Sequence, residues 1–376
     1  MTVYNNSMPL KTVTGNHGLP IGGAAYKGRG ATLNPEGRFE KSSREASDDG
    51  WETPLEEEPG RPKTIVTAER VKSIISRNQS PDIPFSCSIN PYRGCEHGCI
   101  YCYARPSHAY LDLSPGLDFE TRLFAKVNAA EKLREELARP GYECSAITIG
   151  ANTDPYQPAE REWNVTRSLL EVAAECNQPI TIITKNALVE RDLDILAPMA
   201  RKGLVAVFVS VTTLDHDLAR RMEPRASAPA RRIQAIRELA QANVPVGVMV
   251  APIVPLLTDS ATEQILEAAA GAGAKSAGYV LMRLPYEVKD LFKDWLMHHY
   301  PLKAEHVMSR VRQMRDGREN DPNFGSRLRG SGEFAELLAM RFEKACRRLG
   351  LNEHNRKLDV SQFKRPRVDG QMDLFG

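Results

Sequence analysis

The chain is 376 residues long and 41% hydrophobic, which suffices for one main domain of about 200 to 250 residues carrying terminal extensions. Fifty basic residues against 48 acidic ones leave a net charge of +2, so the overall balance singles out neither a nucleic-acid binder nor a membrane-surface protein. No apolar run approaches the roughly 20 residues of a membrane span, and the start MTVYNNSMPLKTVTGN lacks the apolar stretch of a signal peptide; both point to a cytoplasmic protein without a membrane partner.

In chain order, residues 1–62 are dense in Gly, Pro, Asn, Ser and charge with no sustained apolar period, and predict a flexible, largely disordered N-terminal arm. From 63 the pattern turns globular. A strand-like stretch, Phe85 to Asn90, runs into a loop crowded with cysteine. Short, continuously apolar runs follow at 146–151, 180–184, 204–211, 246–251 and 277–282, the signature of strands buried on both faces. Helical periods separate them: Val165, Leu169, Val172, Ala173 and Cys176 share one face, as do Ile233, Ile236, Leu239 and Ala240. This alternation predicts β-α-β units and a parallel sheet of six strands, open or curled into a barrel, over 63–285. Segments just after each strand are where site residues are expected. Residues 286–362 read as a C-terminal helical extension, and 363–376 as a flexible tail. From residue 301 onward 16 basic residues face 11 acidic ones, against 8 and 9 in the first 63, so a polyanionic partner is expected at the C-terminal part.

Seven cysteines in a chain this large need not staple anything. Cys87, Cys144, Cys176 and Cys346 are scattered singly and read as small buried hydrophobes. Cys95, Cys99 and Cys102 stand together in C-E-H-G-C-I-Y-C. Three thiolates on one loop cap three corners of an iron-sulfur cubane, and a ferredoxin-type carrier would supply a fourth cysteine nearby; none follows here. One iron is left open, where an amino and a carboxylate group of S-adenosylmethionine would chelate. The rival is a structural zinc site with His97 or Cys87 as fourth ligand, but such sites usually take two ligands from each of two knuckles.

C-x-x-x-C-x-aromatic-C at the head of a β/α alternation resembles the radical S-adenosylmethionine superfamily. With N-P-Y-R-G-C-E-H-G-C-I-Y-C-Y-A, T-D-P-Y-Q-P-A-E, I-T-K, F-V-S-V-T and A-P-I-V-P, residues 84–285 are similar to the branch containing spore photoproduct lyase. The resemblance implies a partial (β/α)6 TIM-like barrel of the radical SAM type. It implies a 4Fe-4S cluster on Cys95, Cys99 and Cys102, and S-adenosylmethionine bound by Tyr101, Asn152, Thr153, Asp154, Lys185, Ser210 and Thr212. Reductive cleavage would form a 5′-deoxyadenosyl radical that abstracts hydrogen from a substrate, with electrons from a flavodoxin- or ferredoxin-type donor. Arg225 is a further candidate for a carboxylate, locally able to pair with Glu223, and Tyr156 and Gln157 are candidates for the cavity wall. The lyase's hydrogen-returning cysteine after the second strand is replaced by Ala151 and Asn152, which leaves Tyr101, Tyr103 or Tyr156 as relays and no catalytic residue assigned.

The chain ends Q-M-D-L-F-G, and Gln371–Phe375 is similar to the peptides by which bacterial repair proteins bind the sliding clamp, Leu374 and Phe375 filling an apolar pocket. The expected function is a radical enzyme of DNA repair or modification. The alternatives are the same chemistry on a non-DNA substrate, or a non-catalytic, redox-sensing iron-sulfur module associated with the clamp.

Overall fold

The structure is a computed structural model that describes residues 26–39, 62–353 and 357–366, together with the backbone of two short strands in the first 21 residues. Gln371–Phe375 lie outside the described residues. In chain order the strands are β1 (Val13–Gly15), β2 (Leu19–Ile21), β3 (Ile65–Glu69), β4 (Ser76–Arg77), β5 (Cys87–Ile89) and β6 (Tyr92–Arg93). They continue with β7 (Arg122–Lys126), β8 (Ile147–Ile149), β9 (Ile180–Thr184), β10 (Val205–Ser210), β11 (Val246–Ile253) and β12 (Ser276–Leu281). The helices are α1 (Asp118–Thr121), α2 (Ala129–Ala138), α3 (Glu160–Trp163), α4 (Val165–Glu175), α5 (Leu193–Arg201), α6 (His216–Met222), α7 (Pro229–Gln241) and α8 (Thr262–Gly271). Three more, α9 (Val288–His299), α10 (Ala304–Gln313) and α11 (Gly332–Arg348), follow the last strand.

The main sheet has seven strands in the order β12-β11-β10-β9-β8-β5-β4. The six from β5 to β12 are parallel neighbours in chain order, and β4 adds antiparallel to the outer edge of β5. Among the described residues no ladder joins β12 back to β4, so the sheet is a partial barrel and not a closed one. Five of the six parallel strands coincide with the apolar runs to within one residue or two, and β5 falls in the stretch Phe85 to Asn90. Their period explains the layers. In β9 and β10 every second residue is fully buried, and Ile182 and Val207 join Leu169, Leu196, Ile236 and Ile265 in the outer core beneath the helices. The alternate positions Thr181, Ile183, Ala206 and Phe208 face inward onto a cavity.

A second sheet, β3 parallel to β7 and β6 antiparallel to it, was not legible in the sequence. Its strands are short and β3 is mostly exposed, so neither composition nor alternation marks it. No described helix is long and apolar enough to cross a membrane.

Within the segment expected to be a flexible arm, residues 26–39 are packed. Two acceptors organise them. The Glu120 carboxylate receives the backbone N–H groups of Gly30 and Ala31 at 2.9 and 2.8 Å, and Arg29 donates to the Glu120 carbonyl at 2.9 Å. Arg38 pairs with Glu287 at 2.6 Å and lies over the Tyr286 ring. A Gly-rich stretch with no apolar period thus folds on a few anchors: backbone donors to Glu120, the Arg29 and Arg38 side chains, and Tyr26 and Ala31 buried in an apolar cluster. Gly30 shows how close the approach is: a Cβ there would sit 1.8 Å from the Gly98 carbonyl oxygen in the cysteine loop. Gly30→Ala is therefore expected to cost about 1–3 kcal/mol, seen as a lower denaturation midpoint, whereas Gly141→Ala, with nothing within 4 Å, should leave it near the parent value. Equal midpoints would mean that the segment does not rest on the loop. At the other end, the expected tail is packed at its start: Lys364 donates to the Cys176 carbonyl at 2.8 Å, and Phe363 meets Tyr142.

Candidate active site

The inner faces of the strands and the loops at their C-terminal ends line a cavity of about 2340 Å³. Cys95, Cys99 and Cys102 all stand on its wall, on the loop that leaves the second sheet at β6. Turn bonds shape this loop: Gly98 N–H to the Cys95 carbonyl at 3.3 Å and Cys102 N–H to the Cys99 carbonyl at 3.2 Å. Two buried side chains clamp it from outside. Arg105 donates to the Cys99 carbonyl at 2.9 Å and to Gly116 at 2.9 Å, and pairs with Glu120. Gln157 accepts from the Glu96 N–H at 2.8 Å and donates to the Gly94 carbonyl at 3.2 Å. Gln157 therefore positions the cysteine loop and does not face substrate.

Burial pushes the Cys95 thiol well above its ordinary pKa, with Asp154 adding to it; burial and then Glu223 push Cys99 up, and burial raises Cys102 as well. As thiols these groups are neutral, and binding a metal must expel their protons. Among the described residues no three His, Cys, Asp or Glu side chains converge as ligands of a single ion. The rival zinc site is further disfavoured by His97, whose ring contacts Asp154 at 3.4 Å on one nitrogen and the Asn186 amide at 3.2 Å on the other.

Behind the loop, two carboxylates anchor the rim. Asp154, after β8, accepts from the Thr184 hydroxyl at 2.7 Å, the Lys185 N–H at 2.7 Å and the Tyr156 N–H at 2.9 Å. Burial opposes its ionisation, but His97 and these donors win and hold its pKa below the ordinary value. Asp154 thus ties the ends of β8 and β9 together. Glu223, just past α6, is buried between Arg232, Tyr101, Thr212 at 2.6 Å and Lys185 at 3.5 Å. Burial alone would raise its pKa; Arg232 and Lys185 overcome that and leave it lowered.

Of the residues expected around the cofactor, Tyr101, Asn152, Asp154, Lys185 and Ser210 line the same cavity as the cysteines. Thr153 and Thr212 turn away from it: the Thr153 hydroxyl donates to the Tyr92 carbonyl at 2.9 Å, and that of Thr212 to Glu223. Lys185 reaches the Ala251 carbonyl at 2.9 Å and lies 5.8 Å from the Tyr101 ring centroid. Arg225 pairs with Glu96 at 3.0 Å and not with Glu223. Of the three candidate tyrosines, Tyr156 is fully buried with its hydroxyl on Asp192 at 3.0 Å, and the Tyr101 hydroxyl is held by Glu223. Tyr103 is half-exposed on the cavity wall, its hydroxyl donating to the Ala151 carbonyl.

Sequence reasoning missed Arg232 and Asn90, and weighed His97 only as a zinc ligand and Glu223 only as a partner of Arg225. Asn90 follows β5 and its side-chain oxygen accepts the Asn152 N–H at 2.8 Å, joining two strand ends. Arg232 did leave a trace: it is a charge on the α7 face that carries Ile236 and Leu239, where a buried acid must await it.

The radical SAM superfamily model matches residues 89–269. An uncharacterised protein of Mycobacterium tuberculosis is 37% identical over 250 residues, covering 66% of this chain and 72% of the relative. An uncharacterised protein of Methanocaldococcus jannaschii is 23% identical over 223 residues, 59% of this chain and 80% of that one. The chain belongs to the radical SAM superfamily. Its fold is also that of spore photoproduct lyase: the structure of that radical SAM enzyme complexed with dinucleoside spore photoproduct aligns with a TM-score of 0.56 at 16% identity, covering 76% of this chain and 80% of the lyase. A lyase variant with bound AdoMet and the same dinucleoside aligns equally well. Radical SAM membership implies an iron-sulfur cluster and S-adenosylmethionine, and the residues fit both: three thiols on one loop, two buried and one half-buried, with a cation, a hydroxyl and an amide beside them on a cavity of ample volume.

Proposed function

We propose that the chain is a radical SAM enzyme whose cluster is held by Cys95, Cys99 and Cys102 and whose substrate is nucleic acid. When bound, the cluster and S-adenosylmethionine supply reductive cleavage to a 5′-deoxyadenosyl radical, which takes hydrogen from the substrate. The observation that carries this reading is the gathering of the three thiols, Lys185, Ser210 and Asn152 on one cavity, at the strand ends where α/β barrels do their chemistry. Lys185, kept in place by Glu223 and the Ala251 carbonyl, presents a cation for the cofactor carboxylate. Asn152 and Ser210 offer polar groups to its amino end and ribose. Asp154, Thr153 and Thr212 hold the backbone that carries them and act as positioning residues. An electron donor of flavodoxin or ferredoxin type completes the system.

A nucleic-acid substrate is supported by the fold shared with spore photoproduct lyase and by the basic C-terminal part. The test is anaerobic reconstitution, reduction, and chromatography for 5′-deoxyadenosine with and without ultraviolet-damaged duplex DNA. Formation that rises with the damaged DNA supports the reading. Formation indifferent to DNA keeps the enzyme but removes that substrate, and a full cluster yielding no deoxyadenosine leaves a redox module.

A further inference from the structure

Arg283 follows β12 and lines the cavity. Its guanidinium is 5.8 Å from the ring centroid of Tyr103, the residue next to Cys102, so it stands at the cysteine end of the barrel. Two other cations of the cavity already have acidic partners. Arg327 pairs with Asp82 and donates to the Ser80 hydroxyl at 2.5 Å, and Lys185 pairs with Glu223. Arg283 has no hydrogen bond or ion pair among the described residues, and its Nε is buried with no acceptor. An Nε–H withdrawn from bulk water without an acceptor, on a side chain that is otherwise half-buried, costs free energy that a hydrogen-bonded anion returns. Burial, with Arg327 as a like-charged neighbour, lowers its basicity, and the more distant Asp82 and Asp321 offset this only in part.

A planar fork of N–H donors matches two oxygens of one anion, carboxylate or phosphate, and in a nucleic-acid substrate that anion is phosphate. The cavity lining also carries two aromatic rings, Tyr103 at 47% and Phe324 at 59% exposure, the second 4.4 Å from the Arg327 guanidinium. Aromatic rings beside a cation are the elements that hold a single-stranded or everted nucleotide, bases stacked and phosphate paired. We infer that Arg283 is the anion-recognition residue of this cavity, gripping a phosphodiester of the substrate while Tyr103 and Phe324 flank the bases. This rests on the nucleic-acid reading above and names the group within the substrate that is held.

The experiment compares full-length protein and the variants Arg283→Ala and Arg283→Lys by calorimetry, using the dinucleotide thymidylyl-thymidine, its uncharged methylphosphonate analogue, and inorganic phosphate. The parent should bind the phosphodiester about ten- to a hundredfold more tightly than the methylphosphonate. Arg283→Ala should bind the two alike, and Arg283→Lys should keep part of the preference. A variant that misfolds loses both ligands, which differs from losing the preference. Discrimination retained in Arg283→Ala overturns the inference, and so does weakened binding of S-adenosylmethionine with the dinucleotide unaffected, which would put Arg283 on the cofactor. Binding of inorganic phosphate that depends on Arg283, with neither dinucleotide bound, supports the anion site and defeats the nucleic-acid reading.

Discussion

Cys99→Ala protein, reconstituted anaerobically with iron and sulfide, is expected to lose the visible absorption of its cluster and to form 5′-deoxyadenosine only at background. The reason lies in how little tolerance the loop has. Cys99 is 7% exposed and sits in the middle of the motif, its carbonyl gripped by the buried Arg105 guanidinium. Fully buried cation and carboxylate meet on the far side of the loop at Glu120, so the loop is not free to move and offer another residue. The neighbouring His97 is occupied on both ring nitrogens and cannot replace the thiolate. Cys144→Ala is the matched control: its sulfur contacts the Gln178 side chain at 3.7 Å, before β8 and at the opposite end of the strands, and cluster content should match the parent. Retention of cluster and deoxyadenosine in Cys99→Ala would remove this residue from the metal centre.

The second large effect is expected at Glu223. Its side chain is 1% exposed, as is that of Arg232, and three further groups depend on it: the hydroxyls of Tyr101 and Thr212, and the Lys185 cation. Glu223→Gln leaves Arg232 buried without a charge partner and should destabilise the fold by about 3–5 kcal/mol, the usual cost of breaking such a pair from one side. Denaturant midpoints at pH 7 read this directly. Replacing both partners, as in Glu223→Gln with Arg232→Met, should recover a good part of the loss, because no buried charge is then left over. The pH dependence has a definite sign. Since the folded protein holds this carboxyl below its ordinary pKa, the carboxylate contributes stability at pH values above about 4.3, and that contribution declines as the pH falls further and the group is protonated. The parent should therefore lose stability on acidification below that point, and Glu223→Gln should lose less. An unchanged midpoint in Glu223→Gln, or an identical acid limb, would show that the pair does not anchor the rim.

Much of the fold was legible because its elements are strongly periodic. Five of the six parallel strands are continuous apolar runs, and α4 and α7 carry their apolar stripes on the faces that the structure buries. The second sheet was not legible, since β3 and β7 owe their pairing to each other and carry little local signal. Residues 26–39 escaped for a related reason: they are held by backbone donors to a carboxylate some ninety positions away, at Glu120.

For the site, the spacing of Cys95, Cys99 and Cys102 determined by itself that three thiols share one loop, and the β/α alternation determined that Asn152, Lys185 and Ser210 emerge from strand ends on the same side. Which of the neighbouring hydroxyls and cations face the cavity was decided only by the tertiary structure. Thr153 and Ser210 both lie at strand ends, yet one hydroxyl turns to the Tyr92 carbonyl and the other residue faces the cavity. Side chains at the ends of strands leave the strict two-residue period, and their direction follows whichever distant acceptor the packing brings near. Glu223, Arg232 and Arg283 belong to the same class: the chain states their charge, and only the folded structure states whether that charge meets a partner.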